Sequence, residues 1–177
     1  MQIGFLPVEL PRWDQAKAAE LLSVGFWSDV RPLRGAPGLL DWRLCGKLSA
    51  WVVAGKVTGA DGEQMLFPSG GRLPWKLVLL LGLGKRGDFT EKKFRAVVHR
   101  LVKTMRGLHV SRAAMALPGR GEGGAVAAVV PARRALDLVI HEGEEVQSGV
   151  LRELTVIDSP AAQKEMADLL RQRGLRG

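Results

Sequence analysis

Leu73-Pro-Trp-Lys-Leu-Val-Leu-Leu-Leu-Gly-Leu-Gly-Lys-Arg-Gly87 is the stretch that decides the fold. Val78, Leu79, Leu80 and Leu81 form an unbroken apolar run that ends abruptly at Gly82 and Gly84. The run has no helical period and is too short to cross a membrane, so it reads as a strand buried on both faces. Such a strand belongs in the middle of a sheet with helices on each side, and the rest of the chain must supply those helices.

The elements on either side fit that expectation. Met1–Val8 reads as a first strand, Trp13–Ala19 as a helical turn or more, and Leu21–Trp27 as a second strand. Ser28–Gly38 holds Pro32, Gly35, Pro37 and Gly38 and reads as a loop. Leu40, Leu44, Leu48, Trp51 and Val52 then recur at helical spacing, which predicts one helix over Leu39–Val53. Gly46 within it costs about 1 kcal/mol relative to alanine and suggests close packing against the sheet. Cys45, on the same helix, reads as a small core hydrophobe. Glu63–Pro68 is a short strand.

The clearest helix follows, with Thr90 as N-cap and Glu91 in the first turn. Phe94, Val97, Val98, Leu101, Val102 and Met105 form one continuous stripe along it, and Gly107 closes it. Arg112–Leu117 is a strand, and Ala125–Glu142 is one or two helices broken at Pro131. Leu151–Ile157 is the last strand, and Ser159 with Pro160 opens the last helix. This alternation predicts an α/β sandwich with a mixed or mainly parallel sheet, and with no linker in view 1–177 reads as one domain.

The chain is 177 residues long with a net charge of +8. Nearly all of that excess sits between Lys85 and Arg112, where nine basic residues face only Asp88 and Glu91. Lys92, Arg95, Arg100, Lys103 and Arg106 are the candidate basic face, suited to a phosphate backbone or an acidic partner, with a solvated helix face as the plain alternative. The five tryptophans lie in the first half, away from those charges, so the interleaving expected of a single-strand binder is missing. Cys45 is alone, the start has no signal-peptide pattern and no apolar stretch reaches membrane-spanning length, so a cytoplasmic setting without membrane contact is expected.

Two G-x-G-x-x-G matches occur, at Gly82, Gly84 and Gly87 and at Gly119, Gly121 and Gly124. The first lacks the acidic residue about twenty positions on that a dinucleotide site requires. The second is the better anion loop: Gly119, Arg120, Gly121, Gly123 and Gly124 place an arginine among glycines, although a plain connection has the same composition. His99, His109 and His141 have no metal-ligand spacing, so no metal and no cofactor are expected. His99 reads as solvated, and Glu142, Glu144 and Glu145 form an acidic cluster that could hold a cation but reads as an exposed turn.

Several segments carry a family resemblance. They are Gly38-Leu-Leu-Asp-Trp-Arg-Leu-Cys-Gly-Lys-Leu-Ser49, Gly62-Glu-Gln-Met-Leu-Phe-Pro68, Lys76-Leu-Val-Leu-Leu-Leu-Gly-Leu-Gly-Lys85 before Thr90, and Leu151-Arg-Glu-Leu-Thr-Val-Ile-Asp158. Together they resemble the N-terminal domain of the leucyl aminopeptidase (cytosol aminopeptidase) family, with the Gly-Leu-Gly-Lys turn as its most recognisable feature. The resemblance implies a macro-domain-like three-layer sandwich with helices on both faces. It places the metals and the catalytic residues in a C-terminal domain whose Asn-Thr-Asp-Ala-Glu-Gly-Arg signature has no counterpart here, where asparagine does not occur at all. The expectation is therefore a non-catalytic binding, assembly or regulatory module, pairing with itself or with a full-length aminopeptidase subunit. Macro-domain likeness adds ADP-ribose or another phosphorylated nucleotide as an alternative ligand, with Gly35–Gly38 and Gly119–Gly124 as phosphate loops. Nucleic-acid binding through 85–112 is a further alternative.

Overall fold

The computed structural model describes residues 1–120, 129–146 and 151–175. Its six strands are β1 (Gln2–Leu6), β2 (Ala19–Phe26), β3 (Gln64–Pro68), β4 (Trp75–Gly82), β5 (Arg112–Ala116) and β6 (Glu153–Ile157). They form one sheet in the order β1-β6-β5-β2-β4-β3. Every pairing is parallel except that of β3 with β4. Six α-helices cover it: α1 (Leu10–Asp14), α2 (Gly35–Arg43), α3 (Lys47–Val53), α4 (Glu91–Gly107), α5 (Ala132–Glu145) and α6 (Pro160–Gln172). None of the described helices is long and apolar enough to cross a membrane.

Side chains alternate across the sheet and divide the interior into two cores. Leu79 and Leu81 of β4 join Phe94, Leu101, Leu136 and Met166 under α4, α5 and α6. Val78 and Leu80 join Trp13, Leu40 and Leu48 under α1, α2 and α3. The apolar run is thus buried on both faces, as its sequence requires. It is not at the centre of the sheet, however: β4 is the last parallel strand, and β3 alone lies outside it. What ends the run at Gly82 is steric. A methyl group there would fall 1.9 Å from the Ala60 carbonyl oxygen, so only glycine lets the 59–63 turn close over the strand end.

Thr90 caps α4 as its position predicts, its hydroxyl accepting from the Lys93 N–H at 3.3 Å. The six residues of the apolar stripe are all buried. Ser159 caps α6 in the same way, accepting from Ala162 N–H, with Pro160 in the first turn. Several expectations need correction. α1 lies at Leu10–Asp14, earlier than the expected turn. α2 begins at Gly35, so Gly38 is helical rather than in a loop, and Gly35 (φ 59°) is the left-handed residue on which the helix opens. The single helix expected over Leu39–Val53 is two, because Cys45 (φ 56°) and Gly46 (φ 77°) turn left-handed between them. A side chain at Gly46 would meet nothing within 4 Å, so this glycine serves the turn and not packing. Gly107 is the last helical residue, and the left-handed residue that follows is His109 (φ 54°).

Candidate functional site

In a parallel sheet, ligands collect at the carboxyl ends of the strands, where neighbouring chains leave to opposite faces. β2 leaves toward α2 and its neighbour β5 toward α5, on the other face. β1 leaves toward α1 and its neighbour β6 toward α6, again on opposite faces. Near the second crevice a cavity of about 690 Å3 opens between the start of α1, the first turns of α2 and the start of α6. Gly35 and Gly38 both line it, together with Glu9, Arg34, Trp42 and Ser159. A second cavity of about 760 Å3 lies along α2, lined by Asp41, Cys45 and Arg72, and Gly38 and Trp42 border both.

Gly119 and Arg120 sit elsewhere on the same sheet end. Gly119 packs against Trp27 and Phe89, themselves edge to face at 4.8 Å. The Arg120 guanidinium turns inward: Nε donates to Asp158 Oδ2 at 2.7 Å and Nη1 to the Val130 carbonyl at 2.5 Å. Asp158 is 2% exposed, so this pair clamps the exits of β5 and β6. Gly121, Gly123 and Gly124 lie outside the described residues.

The basic face is largely paired. Arg95 Nε donates to Glu142 Oε1 at 2.5 Å, and its Nη2 reaches Glu145 at 3.3 Å. Arg100 donates to Asp61 at 2.9 Å, and Arg106 to the Val146 carbonyl at 2.8 Å. Lys92 and Lys103 have no acidic partner among the described residues. Glu142, expected in an exposed turn, is a buried residue of α5. Burial alone would raise its pKa, but the hydrogen bonds from Arg95 and His99 outweigh that and hold it below the usual glutamate value. His99, expected to be solvated, is half exposed and lies with Nδ1 2.8 Å from Glu142 Oε2. His141, Glu142 and Glu145 bring potential ligand atoms within 4.8 Å of one another, yet Glu142 is already committed to Arg95 and His99. Cys45, read as a core hydrophobe, is exposed, with Arg72 Nη1 3.0 Å from its sulfur.

Sequence reasoning missed Glu9, Arg34, Trp42 and Asp158. Trp42 carried a signal, since it falls off the apolar stripe of the expected helix and is 68% exposed. For Asp158, only its place directly after β6 pointed to the sheet end.

The sheet and its two helical layers define an α/β, macro-domain-like sandwich. A Trypanosoma brucei macrodomain solved in complex with ADP superposes with a TM-score of 0.68 at 14% identity, covering 96% of this chain and 69% of that one. A tomato leucine aminopeptidase variant superposes at 0.65 with 16% identity, over 96% of this chain and 35% of that one. At these identities the likeness shows the fold alone. The model of the cytosol aminopeptidase family, N-terminal domain, matches residues 24–148, well over half of the chain, and the chain belongs to that family. A probable cytosol aminopeptidase of Alkaliphilus metalliredigens is 35% identical over 94 residues, which is 53% of this chain and 18% of that protein. The chain thus spans about a fifth of the length of these curated relatives.

Proposed function

We propose that this chain is a non-catalytic binding and assembly module, one domain over 1–177, working in the cytoplasm. Its partner surface is the outer side of α2. The observation that carries this reading is Trp42, whose indole is 68% exposed between two open clefts. A large aromatic left in water forgoes the burial that stabilises a core, and tryptophan is the side chain most enriched among interface anchors. Val53, 90% exposed at the end of α3, adds apolar surface on the same helical layer. The partner is a second domain of this type, in another copy of the chain or in a full-length aminopeptidase subunit. Support for the non-catalytic part is that the family match is to the N-terminal domain. Light scattering of the purified chain, alone and mixed with a full-length aminopeptidase, tests assembly: complexes are expected with wild type and are weakened by Trp42→Glu. Leucine p-nitroanilide with manganese or zinc tests catalysis, and turnover that copurifies with the chain through stringent purification would refute the reading.

A second reading is binding of a phosphorylated nucleotide such as ADP-ribose. It is supported by likeness to a macrodomain solved with ADP and by Gly35 and Gly38 at the 690 Å3 cavity. Calorimetry with ADP-ribose checks it, and silence at millimolar ligand ends it. Nucleic-acid binding has less support, because Arg95, Arg100 and Arg106 already have partners within the chain.

A further inference from the structure

Most charges near the clefts of this molecule are matched. Arg43 pairs with Asp14, Arg95 with Glu142 and Arg120 with Asp158. Glu9 and Arg34 differ. Both line the 690 Å3 cavity and both are exposed. Neither side chain bonds to the other or to any other described residue. Beside them the wall is apolar, made by Leu10, Leu33, Leu39 and the Trp42 indole. The complement of such a surface carries an ammonium group, a carboxylate and apolar side chains between them.

We propose that this cavity binds a short peptide with free termini and apolar side chains. Glu9 takes the terminal ammonium, Arg34 takes the terminal carboxylate, and Leu33, Leu39 and Trp42 cover the side chains. Both end contacts are charge-assisted hydrogen bonds, the strongest class available to an open site. The volume lies in the range of small-molecule pockets and is larger than one amino acid fills. A nucleotide fits the chemistry less well, since it sets a phosphate near the Glu9 carboxylate and gives Glu9 no cation. The proposal goes beyond the assembly reading and does not require it: the site is open in a monomeric chain, and a partner seated on Trp42 would cover the same surface and compete with the peptide.

Calorimetry on the full chain tests it with Leu-Leu, N-acetyl-Leu-Leu, Leu-Leu amide, free leucine and ADP. Wild type should bind Leu-Leu saturably, and either cap should weaken it about tenfold, as expected when one charged hydrogen bond is lost. Glu9→Gln should weaken Leu-Leu similarly and remove the penalty for the acetyl cap. Arg34→Gln should do the same for the amide. Both side chains are exposed, so thermal melts should match wild type and exclude misfolding as the cause. Free leucine should bind about tenfold more weakly than Leu-Leu, having fewer apolar contacts. No heat with Leu-Leu at millimolar concentration overturns the proposal. So do caps without effect, leucine binding as tightly as the dipeptide, or heat with ADP where Leu-Leu gives none.

Discussion

The two helical layers of this domain are built differently. On one side of the sheet α4, α5 and α6 are long, regular and amphipathic, and side-chain bonds such as Arg95 to Glu142 and Arg134 to Glu91 tie α4 to α5. On the other side α1, α2 and α3 are short. A left-handed pair at Cys45 and Gly46 interrupts them, and both α2 cavities and the exposed Trp42 lie on this side. Side-chain bonds cross the second layer too, from Arg43 to Asp14 and from Ser49 to Asp41, but the apolar stripe of α4 in the first is buried throughout. The second leaves an indole, Glu9 and Arg34 facing outward. Such a division assigns stability to one layer and recognition to the other.

Truncating the first layer should have the largest effect. Leu101, fully buried at the middle of the α4 stripe, should cost about 2–5 kcal/mol on replacement by alanine. Denaturant midpoints measure it, and a loss under 1 kcal/mol would break the contrast. Glu142→Ala should come next at about 1–3 kcal/mol, because it strips Arg95 and His99 of a shared carboxylate.

Acid dependence sharpens the same point. Glu20 caps the start of β5, accepting from the N–H groups of Ser111 at 2.8 Å and Arg112 at 2.6 Å and from the Ser111 hydroxyl at 2.9 Å. Burial would raise its pKa, but these bonds lower it overall, as the bonds to Glu142 do there. A carboxylate depressed in the folded state adds stability that is complete above its unfolded pKa and is lost as pH falls through the folded one. Stability should therefore decline below about pH 4.3, the ordinary glutamate value. Glu20→Gln should lower the unfolding free energy at neutral pH by about 1 kcal/mol and flatten the decline, and an acid limb as steep as wild type would count against the assignment.

How much of this was readable depended on sequence distance. The α4 stripe and its Thr90 cap use neighbours a few positions apart, so their spacing carries them. The doubly buried character of Val78–Leu81 is equally local. Its penultimate place in the sheet is not, because strand order rests on pairings far apart in the chain. Glu142 looks like an exposed turn residue beside Gly143 and Glu144, and only Arg95, 47 positions earlier, makes it a buried anion. Arg120 looks like a phosphate ligand until Asp158, 38 positions on, is seen to hold it. The break at Cys45 and Gly46 was hidden because the apolar spacing continues through it from Leu44 to Leu48.

The smallest effect on stability should come from the second layer. Trp42→Glu touches an exposed side chain and should change the unfolding free energy by no more than about 0.5 kcal/mol. Its effect on association should be large. Sedimentation of wild type and Trp42→Glu over a concentration series, each with and without a full-length aminopeptidase, is the most direct test. The account predicts a mass that rises with concentration or with added aminopeptidase for wild type, and one that stays at or near the monomer value for an equally stable variant. Wild type that remains monomeric under every condition, or a variant that associates as well as wild type, would contradict it.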